Sequence, residues 1–94
     1  MTDQAALATR TLRILYFAWV RQKVGLAGEE VSPPPEVTDI AGLMRWLAGR
    51  SPGHAEAFAH ARQIRAAVNQ DFARPDQPIA AGDEIAFFPP VTGG

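Results

Sequence analysis

The two most hydrophobic strand-like runs of this chain lie at its opposite ends. Residues 11–19 read TLRILYFAW and residues 84–88 read EIAFF. Neither run contains Gly or Pro, and both are rich in Leu, β-branched and aromatic residues, which favours extended backbone. Strands this apolar belong in the middle of a sheet, paired in parallel. The remaining elements then have to be arranged around that pair. In the first run, alternation places Leu12, Ile14 and Tyr16 on one face and Arg13, Leu15 and Phe17 on the other. Arg13 marks the second face as the one nearer water.

Residues 20–24 suit one helical turn, stopped by Gly25. Residues 28–33, GEEVSP, are a short, weak strand candidate. Pro33, Pro34 and Pro35 end it, because proline has no N–H to donate to a ladder. The clearest helix spans residues 39–50. Ile40, Leu43, Met44 and Leu47 recur at helical spacing and make one apolar stripe. Thr38 or Asp39 can cap its start, and Ser51-Pro52-Gly53 ends it. Gly42 within it costs about 1 kcal/mol relative to Ala, so packing has to hold this helix. Residues 54–61 suit a second short helix or a helical loop, and residues 64–69 a third strand. Asn69-Gln70 suits a tight turn, because Asn tolerates left-handed backbone. Residues 72–79 read as irregular with at most one very short strand, Ala81-Gly82-Asp83 as a turn, and Pro89-Pro90 as the end of the last strand. This order of elements, with one main helix packed on one face of a mixed sheet, is an α+β arrangement of the ubiquitin-like β-grasp kind. The expected division is a flexible N-terminal extension over residues 1–10, a β-grasp domain over 11–88 and an extended tail over 89–94.

A chain of 94 residues is one domain. It buries roughly 60–65% of the surface its unfolded form exposes. That leaves room for one core but not for a deep active site as well, which favours a carrier or binding module over a self-contained enzyme. Nine Lys+Arg against ten Asp+Glu provide no basic stripe for nucleic acid and no polybasic run for a membrane surface. No apolar stretch is long enough to span a bilayer. Residues 1–10 contain Asp3 and lack the apolar centre of a secretory signal, so a cytoplasmic chain is expected. The absence of cysteine removes disulfides, thiolate zinc sites and Cys nucleophiles. His54 and His60 are too far apart around a helix to share a face, so no metal site is expected and both read as surface or partly covered imidazoles. Asp83 and Glu84 are adjacent on a strand and point to opposite sides, which argues against paired-carboxylate catalysis. Arg62 and Arg65 read as a solvated face, Trp46 as a helix-edge residue and Trp19 as a strand-end residue.

The chemistry is expected at the other end of the chain, which reads FFPPVTGG. Pro89 and Pro90 stop the strand and project the backbone outward in extended form. The six residues from Pro89 reach roughly 20 Å. Gly93 and Gly94 lack a Cβ, so they pass through a narrow channel in a partner. An ionised α-carboxylate, with a pKa of about 3.5, is a poor electrophile. It needs activation, most simply by adenylation with ATP, and the tail has no catalytic side chain of its own.

The tail FFPPVTGG, the turn and strand GDEIAFF before it, the segment AAVNQ and the opening ILYFAWVRQKVG together resemble the MoaD family, the small subunits of molybdopterin synthase. The resemblance covers about residues 11–94 and is most specific in the tail. The thiamin sulfur carriers share the Gly-Gly end without the Phe-Phe-Pro-Pro lead-in. The resemblance implies that an E1-like enzyme of the MoeB type adenylates Gly94 and that a sulfur donor converts it to a thiocarboxylate. It further implies delivery of the sulfur to cyclic pyranopterin monophosphate within a large subunit of the MoaE type, in a heterotetramer of two small and two large subunits. No cofactor is expected on the chain itself, ATP being consumed by the activating enzyme.

Docking is expected on the outward sheet face. If Ile85 and Phe87 face the helix, Phe88 faces away with Phe17, and Phe72 joins them after the turn. Family members carry apolar residues matching Phe17, Phe72 and Phe88 and an Arg matching Arg21. The tail residues Pro89, Pro90, Val91 and Thr92 complete the expected contact, with Gly93 and Gly94 at the reacting end. Three other readings stay open: a sulfur carrier of another pathway, a ubiquitin-like modifier joined to lysines through Gly94, and an interaction module with an inert end.

Overall fold

The computed structural model describes residues 10–90 of the chain. Along it run β1 (Leu12–Tyr16), α1 (Ala18–Val24), β2 (Gly28–Val31), α2 (Ile40–Ala48), α3 (Pro52–Phe58), a 3-10 turn (Ala61–Gln63), β3 (Arg65–Val68), β4 (Asp71–Ala73) and β5 (Glu84–Phe88). The five strands form one sheet in the order β2-β1-β5-β3-β4. The first and last strands are the central, parallel pair, in register from Arg13↔Glu84 to Tyr16↔Phe87. The other pairings are antiparallel. The helices cover one face, and this is the expected β-grasp layout.

The core follows from strand alternation. Leu12, Ile14 and Tyr16 on β1 and Ile85 and Phe87 on β5 are buried, and α2 closes over them with Ile40, Leu43 and Leu47. Burial of side chains this size stabilises by roughly 1.5–3 kcal/mol each. The first turn of α2 is fully satisfied. Asp39 accepts from the Gly42 N–H at 2.8 Å. The Ile40 and Ala41 N–H groups donate to Gln77 O at 3.1 Å and Pro75 O at 2.8 Å. The loop after β4 therefore acts as a strap that supplies the acceptors a helix start lacks.

The junction of β1 and α1 differs from expectation. The first strand stops at Tyr16 instead of continuing through Trp19. Phe17 makes the last ladder bond, donating to Phe87 O at 3.0 Å. Ala18 then takes φ +55° and turns the chain out of the sheet into α1. The aromatic strand propensity of residues 17–19 is overridden because α1 must bury Val20 and Val24 over the sheet. Trp19 consequently lies on a helix, with its ring edge-on to His60 at 6.0 Å. Gly25 closes α1 in left-handed backbone at φ +89°, as its position suggested. Asn69 and Gln70, at φ +51° and +74°, make the two-residue turn between β3 and β4.

Candidate docking face and reactive tail

The outward face of the sheet carries Phe17 and Phe88, as alternation assigned them, and Phe72 joins them after the turn. Phe72 pairs with Ala67, and Arg65 pairs with Phe88. This register brings the Phe72 and Phe88 rings to 6.0 Å between centroids. Phe72 is 81% exposed and Phe17 47% exposed, while Phe88 is half-buried. Phe17 lies one residue past the Tyr16↔Phe87 pair, which places it next to Phe88. Arg21 is exposed one helical turn beyond Phe17, its N–H bonded to Phe17 O at 3.3 Å. Exposed aromatic groups beside a guanidinium make a surface suited to a protein partner, where aromatic and Arg anchors carry most binding energy.

Because β1 and β5 are parallel, the end of β5 emerges beside the end of β1. Pro89, half-buried, and Pro90, exposed, therefore lead the chain away next to Phe17. Val91, Thr92, Gly93 and Gly94, which the sequence assigned to the reactive tail, lie outside the described residues.

A second polar cluster was not foreseen. His54 was expected on or near the surface, yet it is only 4% exposed. Its Nε2 lies 2.6 Å from Glu29 Oε2 and its Nδ1 lies 2.7 Å from the Ser51 hydroxyl. The Tyr16 hydroxyl donates to the same Glu29 oxygen at 2.7 Å. Two groups meeting one carboxylate oxygen must both donate, so in the neutral ring the His54 proton sits on Nε2 and Nδ1 accepts from Ser51. Ser51 also caps α3, accepting from the His54 N–H at 3.1 Å. The correction has a topological cause. Ile14↔Glu29 is a register pair, so the Glu29 side chain turns inward from edge strand β2 and needs a donor from α3. Burial pushes the Tyr16 hydroxyl far up, and its bond to Glu29 adds to the effect. Burial alone would also raise Glu29, but the bonds from His54 and Tyr16, with Arg50 nearby, outweigh it and hold the carboxyl below its ordinary range. These contacts clamp β1, β2 and α3 together. With His54 buried and Ser51 occupied as a cap, the cluster is a structural joint. The one sequence hint was Ser51 three residues before His54, the spacing of a capping pair.

Among the described residues, no group of three or more His, Asp or Glu is placed to hold a metal ion. No described helix is long and apolar enough to cross a membrane.

Comparison with known proteins agrees with this geometry. Residues 14–94 match the ThiS family. The chain is 40% identical over 83 residues to the molybdopterin synthase sulfur carrier subunit of Escherichia coli, an alignment spanning 88% of this chain and 99% of that protein. The fold is shared with small archaeal modifier protein 1 of Haloferax volcanii, at a TM-score of 0.67 and 24% identity over 86% of this chain and 98% of that one. It is shared too with a chain in the complex of subunits 1 and 2 of the molybdopterin-converting factor from Helicobacter pylori, at a TM-score of 0.60 and 20% identity over 89% and 99%. This chain belongs to the ThiS family, on the branch of the molybdopterin synthase sulfur carrier subunits.

Proposed function

We propose that this chain carries sulfur for molybdenum cofactor biosynthesis as a thiocarboxylate on Gly94. The observation that carries the reading is the 40% identity to the Escherichia coli sulfur carrier across 99% of its length. The order of events follows from the chemistry of the end group. An E1-like enzyme of the MoeB type joins the Gly94 carboxylate to AMP, with release of pyrophosphate from ATP. A sulfur donor displaces AMP and leaves the thiocarboxylate. The loaded tail enters a large subunit of the MoaE type, its sulfur bonds to cyclic pyranopterin monophosphate, and water cleaves the acyl–sulfur bond, leaving the sulfur on the pterin and regenerating the Gly94 carboxylate. Two such deliveries build one dithiolene. The large subunit supplies the catalytic side chains, and two carriers flank two large subunits in a heterotetramer. The chain itself holds no cofactor, and the reading places it in the cytoplasm, where ATP is available.

The outward aromatic face supports the docking half of this reading. Phe17, Phe72, Phe88 and Arg21 sit where β5 hands over to the tail, so one partner surface engages both. The test is intact mass after incubation with ATP, a MoeB-type enzyme and a sulfur donor, followed by thiol alkylation. With no cysteine in the chain, ATP-dependent alkylation mapping to Gly94 is the expected result. An unmodified Gly94 with several competent loading enzymes would refute the carrier reading, and Gly94 recovered in an isopeptide bond would favour a ubiquitin-like modifier.

A further inference from the structure

A second candidate surface lies on the opposite side of the sheet from the aromatic face. Two hollows of about 340 and 420 Å³ run between α2, the 3-10 turn and the β3–β4 edge. They share Met44, Ala61, Arg62 and Pro75 in their walls and so form one continuous groove. Ala66 lines it and is an inward-facing residue paired with Phe87, which fixes the groove on the helix-bearing side.

The floor of this groove is apolar and its rim is cationic. Arg45, Arg62, Arg65 and Arg74 all line it and all are exposed. No Asp or Glu lines either hollow. Among the described residues none of these four guanidinium groups has a carboxylate within ion-pair distance. Arg65 is held at the rim by donating to Arg62 O at 3.1 Å. The concentration of charge is unusual for this chain. These four account for almost half of its nine Lys+Arg, leaving five cations against ten carboxylates elsewhere. In a protein of net charge −1, four of the nine cationic side chains thus line one apolar trough.

We propose that this groove docks an acidic segment of a partner protein, in which Asp or Glu residues flank an apolar anchor. The anchor fills the trough over Met44 and the carboxylates pair with the four arginines, whose planar forks suit bidentate carboxylate binding. The apolar floor favours a protein segment over a polyphosphate chain, which needs cations but no trough for aliphatic groups. Ala66 faces the groove while Phe72 lies on the other side of the sheet, so a partner bound here leaves Phe17 and Phe72 uncovered, with Arg65, the cross-strand partner of Phe88, at the border between the two faces.

The test is selection of random 12-residue displayed peptides on the full chain, tethered through its N-terminal extension. Expected are peptides combining Asp/Glu with Leu, Ile or Phe, which shift the amide resonances of Met44, Ala61 and Ala73. Arg62→Glu with Arg74→Glu should weaken them at least about tenfold, while Phe17→Ala with Phe72→Ala leaves them unchanged. Arg62→Gln with Arg74→Gln, a milder pair, should weaken them about threefold or more with thermal unfolding unaltered. Failure to select any peptide that depends on Arg62 and Arg74 would overturn the proposal. So would selected peptides lacking acidic residues or mapping to the aromatic face. Oligouridylate or phosphatidylglycerol vesicles that produce the same shifts more tightly than the best peptide would also overturn it, in favour of nucleic acid or lipid.

Discussion

Replacing Glu29 by Gln isolates the electrostatic part of the buried clamp with almost no change of shape. In the native chain one carboxylate oxygen accepts from Tyr16 at 2.7 Å and from His54 at 2.6 Å. Hydrogen bonds to a charged group contribute about 1.5–3 kcal/mol, against about 1 for neutral pairs. Glu29 keeps 15% of its side chain exposed, so the lower end of that range applies and losing the charge on two such bonds costs about 1–2 kcal/mol, because an amide oxygen can still accept both. In a domain of this size that lowers the melting temperature by about 5–15 °C. The pH dependence follows from the depressed Glu29 carboxyl. Its folded value lies below the ordinary 4.5, so its stabilisation is complete above that value and is lost as pH falls through the folded value. The Gln variant has no such titration. Thermal unfolding of both proteins from pH 7 to pH 3 should show a gap that is widest near neutrality and narrows in acid. Glu30→Gln is the control on the same strand. Its contact with Arg13 is long, at 3.9 Å, and exposed on both sides, so it should change stability by less than about 0.5 kcal/mol. A Glu29→Gln melting temperature within 2 °C or so of the parent at pH 7, or a gap that stays constant into acid, would refute this account.

Three further substitutions can be checked. Phe72→Ala should leave stability within about 0.5 kcal/mol, because the ring is 81% exposed. The same change should weaken capture by a MoaE-type large subunit about tenfold or more in a binding titration. Gly53→Ala should destabilise by about 1–3 kcal/mol in denaturant unfolding, since a Cβ there would sit 2.5 Å from Lys23 O and 3.0 Å from Val24 O, forcing α3 off α1. Gln70→Gly should raise stability by about 1 kcal/mol in the same assay, because Gln70 holds φ +74° in a turn whose second position favours glycine.

Much of the fold was legible along the chain because its signals are local. Alternation on β1 and β5 placed Leu12, Ile14, Tyr16, Ile85 and Phe87 inward, and each is buried. The stripe of α2, its Asp39 cap and the Asn69-Gln70 turn each express a short-range rule that the structure satisfies. The outward placement of Phe17 and Phe88 came from the same parity, and that of Phe72 from its position just after the Asn69-Gln70 turn. Less legible was the end of β1, where Ala18 and Trp19, in a run of strand-like composition, enter a helix. The groove arginines were equally obscure: Arg45, Arg62, Arg65 and Arg74 come from α2, the 3-10 turn, β3 and the loop after β4, and no spacing rule relates them.

The sequence by itself determined the alternating and helical faces, the parallel central pair and the Phe-Phe-Pro-Pro lead into Gly-Gly, since each depends on residues near one another in the chain or on strong apolar runs. The tertiary structure alone decided that His54 is buried, that Glu29 turns inward from an edge strand to meet it, and that four distant arginines ring one trough. A charged residue's environment is set by what the fold brings within a few ångströms, and the segments that meet Glu29 and line the groove are far from one another in the sequence.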